Sequence, residues 1–359
     1  MIKEVEMMKK LWIVAFTVIF IMAGCVNDDE VAPSAEKDVN LVIQDYVAQL
    51  STDRADIQQT TGMVAMESFS ILSDNIFQLP LNLRIDNLSF YYGNLRKADG
   101  SVESEHFNFA ENLGVYHWDD VMQQFIRSDE EVDYIQLDFP ATLDDQENNA
   151  TIIIFQYAEV DLTGIINPST GSLIKVTALE SELTVNGNTE MTIQYKAVFD
   201  AEGYLKTVNM ETVINPFELS MDLTQNNGVM QINSIWKKQG APILSSYFLI
   251  AKNNINFTPY DGFAFTGKTS GYIKYRELKL DGSFDFSNLE IEKQDKGTAV
   301  QMSVYQGSRK LGKLYIDFQT EGEHVIPGTM KYFIEVEDKT RISADELVKP
   351  LFDGFNSLI

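Results

Sequence analysis

Apolar residues change their spacing twice along the chain. Residues 11 to 22 read LWIVAFTVIFIM, an almost unbroken apolar run. Val39, Ile43, Tyr46, Val47 and Leu50 then recur at i, i+4, i+7, i+8 and i+11, one stripe of a helix. Met63, Met66, Phe69, Leu72 and Ile76 mark a second helix, predicted from Asp56 to Phe77 and ended by Pro80. Such a Met-rich stripe suits a core or an adaptable ligand contact, and core is the commoner use.

From Leu81 onward the period shortens to two. Phe217, Leu219, Met221 and Leu223 alternate with Glu218, Ser220, Asp222 and Thr224, and Met191, Ile193 and Tyr195 alternate with Thr192, Gln194 and Lys196. Each run reads as a strand with one dry and one wet face. Asn186-Gly187, Asp200 to Gly203 and Asn226 to Gly228 supply turn chemistry between them. Connections this short join only antiparallel neighbours, so Leu183 to Ile250 is predicted to be a meander. Upstream, Gly114 to Trp118, Tyr134 to Phe139 and Ile152 to Tyr157 read as strands, the last two flanking an acidic loop. Downstream, Tyr272 to Leu280, Phe284 to Ile291, Val300 to Tyr305, Lys313 to Phe318 and Met330 to Val336 continue in kind, with turns at Asp281-Gly282 and Gln306-Gly307. Ser343 and Glu346 have capping-box spacing for a short terminal helix limited by Pro350, with Phe352 and Phe355 placed to dock the tail. The expected fold is α+β and β-rich: a large antiparallel β-meander sheet over residues 81–359, packed against a helical segment at 35–80. Asn167 to Gly171 is a candidate subdomain boundary.

The opening segment changes the picture. Lys9 and Lys10 precede the apolar run, and Ala23, Gly24 and Cys25 follow it, the plan of a secretory signal. A run of twelve residues is shorter than the ~20 needed to cross a bilayer. Glu4 and Glu6 sit unusually close to the lysines, which leaves Met1, Met7 and Met8 as alternative starts. Met22-Ala23-Gly24-Cys25 resembles a bacterial lipobox, which implies cleavage before Cys25 and acylation of that cysteine. Residues 1–24 would then be the signal and 25–34 an acidic tether. Asp28, Asp29 and Glu30 resemble the export signal of Bacteroidota surface lipoproteins. That resemblance, specific from Lys9 to Glu30, implies an outer-membrane lipoprotein displayed on the cell surface, the periplasmic face being the alternative.

Charge narrows the partners. The formal net charge is −25. The first 24 residues hold three lysines and two glutamates, so the remainder stands at −26. A field of that sign opposes nucleic acid, whose binding depends on neutralising phosphates. Cys25 is the single cysteine, so no intrachain disulfide can form.

Candidate chemistry is sparse. The three histidines are His106, His117 and His324. His117 lies near Asp119 and Asp120, yet no nucleophile elbow accompanies it. Asp144, Asp145 and Glu147, with Asn148 and Asn149, make an oxygen-rich loop that suits calcium in donor type but lacks EF-hand spacing. Among the aromatics Tyr116, Trp118, Trp236, Tyr247, Tyr260, Phe263 and Phe265, the first three are the leading ligand candidates, Trp118 above all. No cofactor is implied. The expectation is a lipid-anchored, non-enzymatic binding protein for a glycan, a lipid or another envelope protein. The alternatives are a hydrolase with two facing carboxylates and a structural scaffold.

Overall fold

The computed structural model describes residues 36–73, 95–96, 102–103, 107–161, 174–201, 205–226, 228–251, 255–258, 262–265, 268–285, 300–317, 320–321, 324–325 and 331–352. Helices α1 (Glu36–Gln58) and α2 (Thr61–Ser73) come first. Short strands β1 (Leu95–Arg96) and β2 (Val102–Glu103) pair with each other. Then follow β3 (Gly114–Asp119), β4 (Gln124–Arg127), β5 (Ile135–Phe139), β6 (Ala150–Asp161), β7 (Ile174–Val185), β8 (Asn188–Phe199) and β9 (Leu205–Ile214). The chain continues through β10 (Phe217–Asn226), β11 (Val229–Lys238), β12 (Ala241–Ala251), β13 (Ile255–Thr258), β14 (Gly262–Phe265), β15 (Lys268–Tyr275) and β16 (Leu278–Asp285). It closes with β17 (Val300–Gln306), β18 (Arg309–Asp317), β19 (Thr320–Glu321), β20 (His324–Val325), β21 (Lys331–Glu335), β22 (Arg341–Ser343) and helix α3 (Asp345–Phe352).

The protein is β-rich, and its principal sheet has sixteen strands. Pairing is mixed, which corrects the all-antiparallel expectation: β3 and β5 run parallel, with Tyr116 opposite Leu137 and His117 opposite Asp138. The predicted meander holds from β7 to β12. Its turns include Asn186-Gly187 and Gln239-Gly240, all four residues at positive φ as tight hairpins require. The chain divides into two compact units. The first is drawn from Ala55–Leu223 and Trp236–Ala241, the second from Met1–Arg54, Thr224–Ile235 and Pro242–Leu358. The candidate boundary at 167–171 lies outside the described residues.

In the first unit α2 begins later than the Met periodicity suggests. Helix α1 runs on to Gln58, and Thr60 breaks the path, its hydroxyl accepting from the Met63 amide at 3.3 Å as an N-cap does. The buried face of α2 is Gly62, Ala65, Ser68 and Phe69, not the methionines, which are half-buried. Small residues let the helix approach the sheet closely: a Cβ on Gly62 would stand 3.1 Å from the Glu190 carbonyl oxygen. Phe69 packs on Phe139 and Phe125 at 5.2 and 6.2 Å between ring centroids. Ile76, Phe77 and Pro80 lie outside the described residues.

In the second unit four residues of the predicted α1 stripe, Val39, Ile43, Tyr46 and Leu50, are at 4% exposure or less, and the fifth, Val47, is half-buried. Tyr46 meets Tyr275 edge-on at 6.2 Å. One turn beyond Leu50, Asp53 is 1% exposed, and its Oδ2 accepts from the Tyr275 hydroxyl at 2.8 Å and from Arg276 at 2.6 Å. Burial pushes the Tyr275 phenol far above its ordinary range, so it remains a donor. This buried carboxylate ties α1 to the turn between β15 and β16. That turn, Arg276-Glu277, replaces the expected single strand from Tyr272 to Leu280. Asp281-Gly282 is not a turn but the middle of β16. At the C-terminus the Asp345 carboxylate accepts from the Tyr332 amide at 2.6 Å, and α3 continues through Pro350 to Phe352.

Replacing Arg276 by Met should leave Asp53 buried with less compensation. Breaking a buried pair costs ~3–5 kcal/mol, and the partial exposure of Arg276 reduces this to about 2 kcal/mol. Urea unfolding should register that loss as a lower midpoint at unchanged slope; an unchanged midpoint would show that the pair does not hold the helix.

Candidate functional site

The second unit presents a wet sheet face whose composition differs from what folding alone asks for. In β12, β15, β16, β17 and β18 one set of alternate residues is buried: Phe248, Ile273, Tyr275, Leu278, Leu280, Met302, Val304, Leu314 and Ile316. The other set faces outward. Strand pairing sorts it into two rows that cross the sheet. One row is Tyr247, Tyr272, Asp281, Ser303 and Lys313. The next is Ser245, Lys274, Lys279, Tyr305 and Lys310.

The tyrosines are half-buried. Tyr247 and Tyr272 stack with centroids 6.2 Å apart and planes at 26°. The close approach of β12 and β15 that permits this depends on Gly271, where a Cβ would fall 1.8 Å from the Tyr247 carbonyl oxygen. The Lys279 ammonium lies 4.7 Å from the Tyr272 ring centroid and 2.7 Å from the Asp281 carboxylate. A cation over the ring face adds attraction, and the Asp281 pair fixes where it sits. Farther along, Arg341 lies over the Tyr315 ring at 3.4 Å and reaches Glu335 at 3.1 Å. Burial alone would raise the Glu335 carboxyl; hydrogen bonds from Arg341 and Lys339 outweigh it and hold it below the ordinary range. Chemically, the two rows offer apolar ring surface beside hydroxyl, ammonium and carboxylate groups, the mixture that a polyhydroxylated ligand can use.

The sequence-nominated aromatics lie elsewhere. Tyr116 is 9% exposed, Trp118 8% and Trp236 1%. Trp118 packs edge-on against Phe125 at 5.5 Å, and the Tyr116 hydroxyl donates to the Asn112 carbonyl at 3.0 Å. All three belong to cores. Tyr247 alone of the wider set is in the rows; Tyr260 and the side chains of Phe263 and Phe265 lie outside the described residues. In the acidic loop, Asp145 Oδ2 accepts from the Thr142 amide at 3.0 Å and from Asn149 at 3.2 Å, and Asn148 donates to the Trp118 carbonyl. These oxygens brace the loop. Among the described residues no group of three or more His, Cys, Asp and Glu side chains is gathered to hold a metal, at Asp144, Asp145 and Glu147 or elsewhere. Cys25 and His106 lie outside the described residues, as does the His324 side chain.

His117 has a different acid from the ones its sequence neighbours suggest. Asp119 caps its own turn, accepting from the Val121 and Met122 amides at 2.9 and 2.8 Å. The carboxylate that meets His117 is Asp138, 2.9 Å from Nδ1 on the parallel strand β5. Asp138 is 8% exposed and also accepts from the Thr151 hydroxyl at 2.6 Å and from Gln136 at 3.0 Å. A carboxylate can only accept, so Nδ1 donates and Nε2 is left as the free acceptor. Thr151 bonds the far side of Asp138 and not His117, so it does not stand where a nucleophile would. Nitrogen-15 spectra of the neutral imidazole should therefore report a proton on Nδ1, and Asp138→Asn should weaken that preference. A wild-type proton on Nε2 would contradict the pairing. Comparison of the chain with family models, with curated proteins and with solved structures finds no match in any of the three.

Proposed function

We propose that this chain is a lipid-anchored protein of the cell envelope that binds carbohydrate on the wet face of its second unit, without catalysing a reaction. The stacked pair Tyr247–Tyr272, with Lys279 over the second ring and Asp281 beside it, carries the reading. Sugars offer apolar C–H faces and rings of hydroxyls, and a binding surface that pairs aromatic area with a few placed polar groups suits both. A soluble meander needs no tyrosines on its outer face, where any polar residue would serve. The anchor supports the setting: Met22-Ala23-Gly24-Cys25 and the acids at 28 to 30 fit an outer-membrane lipoprotein facing outward. Two or more acyl chains hold a protein stably where one holds marginally, so no basic surface is required for attachment. Among the described residues no helix is long and apolar enough to cross a membrane.

Two experiments test the halves of this reading. Substituting Cys25 by Ser should move the protein from the membrane fraction to the soluble envelope fraction; continued membrane association in detergent-sensitive form would refute the anchor. Screening the mature chain against an array of bacterial and host glycans should identify at least one ligand, and Tyr272→Ala should weaken it ~10-fold, about 1.4 kcal/mol, while the fold is kept and stability falls by no more than the ~0.2–1 kcal/mol of the lost ring stack. Equal binding by the variant would move the site off this face.

A further inference from the structure

We propose that the ligand of this face is an anionic polysaccharide, one that carries uronate or sulfate groups; the inference rests on the carbohydrate reading above. Lys274 stands directly opposite Lys279, Lys279 opposite Tyr305, and Tyr305 opposite Lys310. Like charges directly opposite each other on a sheet are destabilising, and the wet face would accept any polar residue in their place. The two rows hold four lysines and one aspartate, in a chain whose net charge is −25. Internal acids offset only part of this. Glu277 stands 3.9 Å from Lys274, Asp281 is paired with Lys279, and Glu335, itself held by Lys339 and Arg341, stands opposite Lys313 on β21. Among the described residues Lys310 and Lys313 have no ion-pair partner.

Tyr305, between Lys279 and Lys310, supplies a second and independent observation. Its hydroxyl is shielded from water and has no hydrogen-bond partner among the described residues. A buried donor left unmet is unfavourable, and once movement of its neighbours uncovers it, an oxygen anion held by the flanking ammonium groups would satisfy it. Size then separates a polymer from a small ion. From Lys274 to Lys310 is three strand steps, ~14 Å at ~4.8 Å each, more than one phosphate or sulfate can span. Nucleic acid is the denser alternative, with a charge every ~1.7 Å of duplex axis; the chain's overall negative field opposes it more strongly than it opposes a sparsely charged glycan. The tyrosine rings and Ser245 and Ser303 have hydroxyl-rich, uncharged stretches of sugar to meet between the charges.

Affinity electrophoresis of the full mature chain would decide the matter, with gels containing polygalacturonate, heparin, neutral dextran or single-stranded DNA at ~50 and ~500 mM salt. Retardation by polygalacturonate or heparin should exceed that by dextran ~10-fold in apparent affinity and should fall ~10-fold at the higher salt. The double variant Lys310→Gln, Lys313→Gln should lose ~5-fold or more while its circular dichroism and thermal midpoint stay those of the parent, because neither lysine is packed in the core. Binding of dextran with no salt dependence would overturn the anionic class and leave the carbohydrate reading standing. Retardation by none of the polysaccharides, together with an empty glycan array, would overturn both. Tighter binding of DNA than of either acidic glycan would overturn this proposal in favour of nucleic acid.

Discussion

A strand in a sheet has two faces, and a sheet with water on one side can bury only one of them. That constraint governs the second unit. Packing accounts for Ile273, Tyr275, Leu278, Leu280, Met302, Val304, Leu314 and Ile316, all of them buried, and it leaves the intervening positions free of any demand but polarity. Tyr247, Tyr272, Lys279 and Lys310 are therefore residues that the core cannot explain. Each half-buried ring covers some strand surface, and stacked aromatic neighbours stabilise an antiparallel pair by ~0.2–1 kcal/mol. That modest gain would explain one tyrosine pair. It does not explain adjacent lysines in a row beside it.

Helix α1 gives the dry face its partner and thereby fixes which face is wet. Its apolar stripe alone would permit sliding along the helix axis. Asp53 removes that freedom, because a carboxylate buried to 1% exposure must keep the donors of Tyr275 and Arg276 within reach. Tyr275 and Arg276 lie at the end of β15 and in the turn that follows, so the same contact holds in place the hairpin in which Tyr272 meets Asp281. In the first unit, Asp138 plays a comparable part on a smaller scale. Its own strand and two neighbouring ones contribute donors to it, from Gln136, His117 and Thr151. The His117 ring, 48% exposed, carries that network to solvent.

Much of the architecture was legible in the alternation of residues, and the misses have physical causes. The α1 stripe, the β7 to β12 meander and the Asn186-Gly187 hairpin follow from periodicity and turn chemistry. The site was harder. Reading Tyr272 to Leu280 as one strand puts both residues on the same face, since they are eight apart. The turn at Arg276-Glu277 reverses the parity: odd residues are buried before it and even ones after it. Arginine at positive φ is a poor turn signal, whereas Asp281-Gly282 is a good one that the sheet overrides. With that parity wrong, the Tyr247–Tyr272 pair and the lysine row could not be assembled. His117 misled for a related reason. Its nearby acids in sequence were visible, but the Asp138 contact needs a parallel pairing of β3 with β5 that no local pattern encodes. Trp118 and Trp236, the most conspicuous aromatics, turned out to fill cores, the usual place for rings of that size.

Hydroxyl-radical footprinting of the intact protein on its own cells, before and after enzymatic removal of surface polysaccharide, reads the wet face directly. If that face holds glycan in place, Tyr247, Tyr272 and Tyr305 become more reactive after stripping, while exposed residues of the first unit such as Phe155 and Met122 keep their rates. Identical rates at the three tyrosines in both conditions, or a change confined to the first unit, would contradict the assignment.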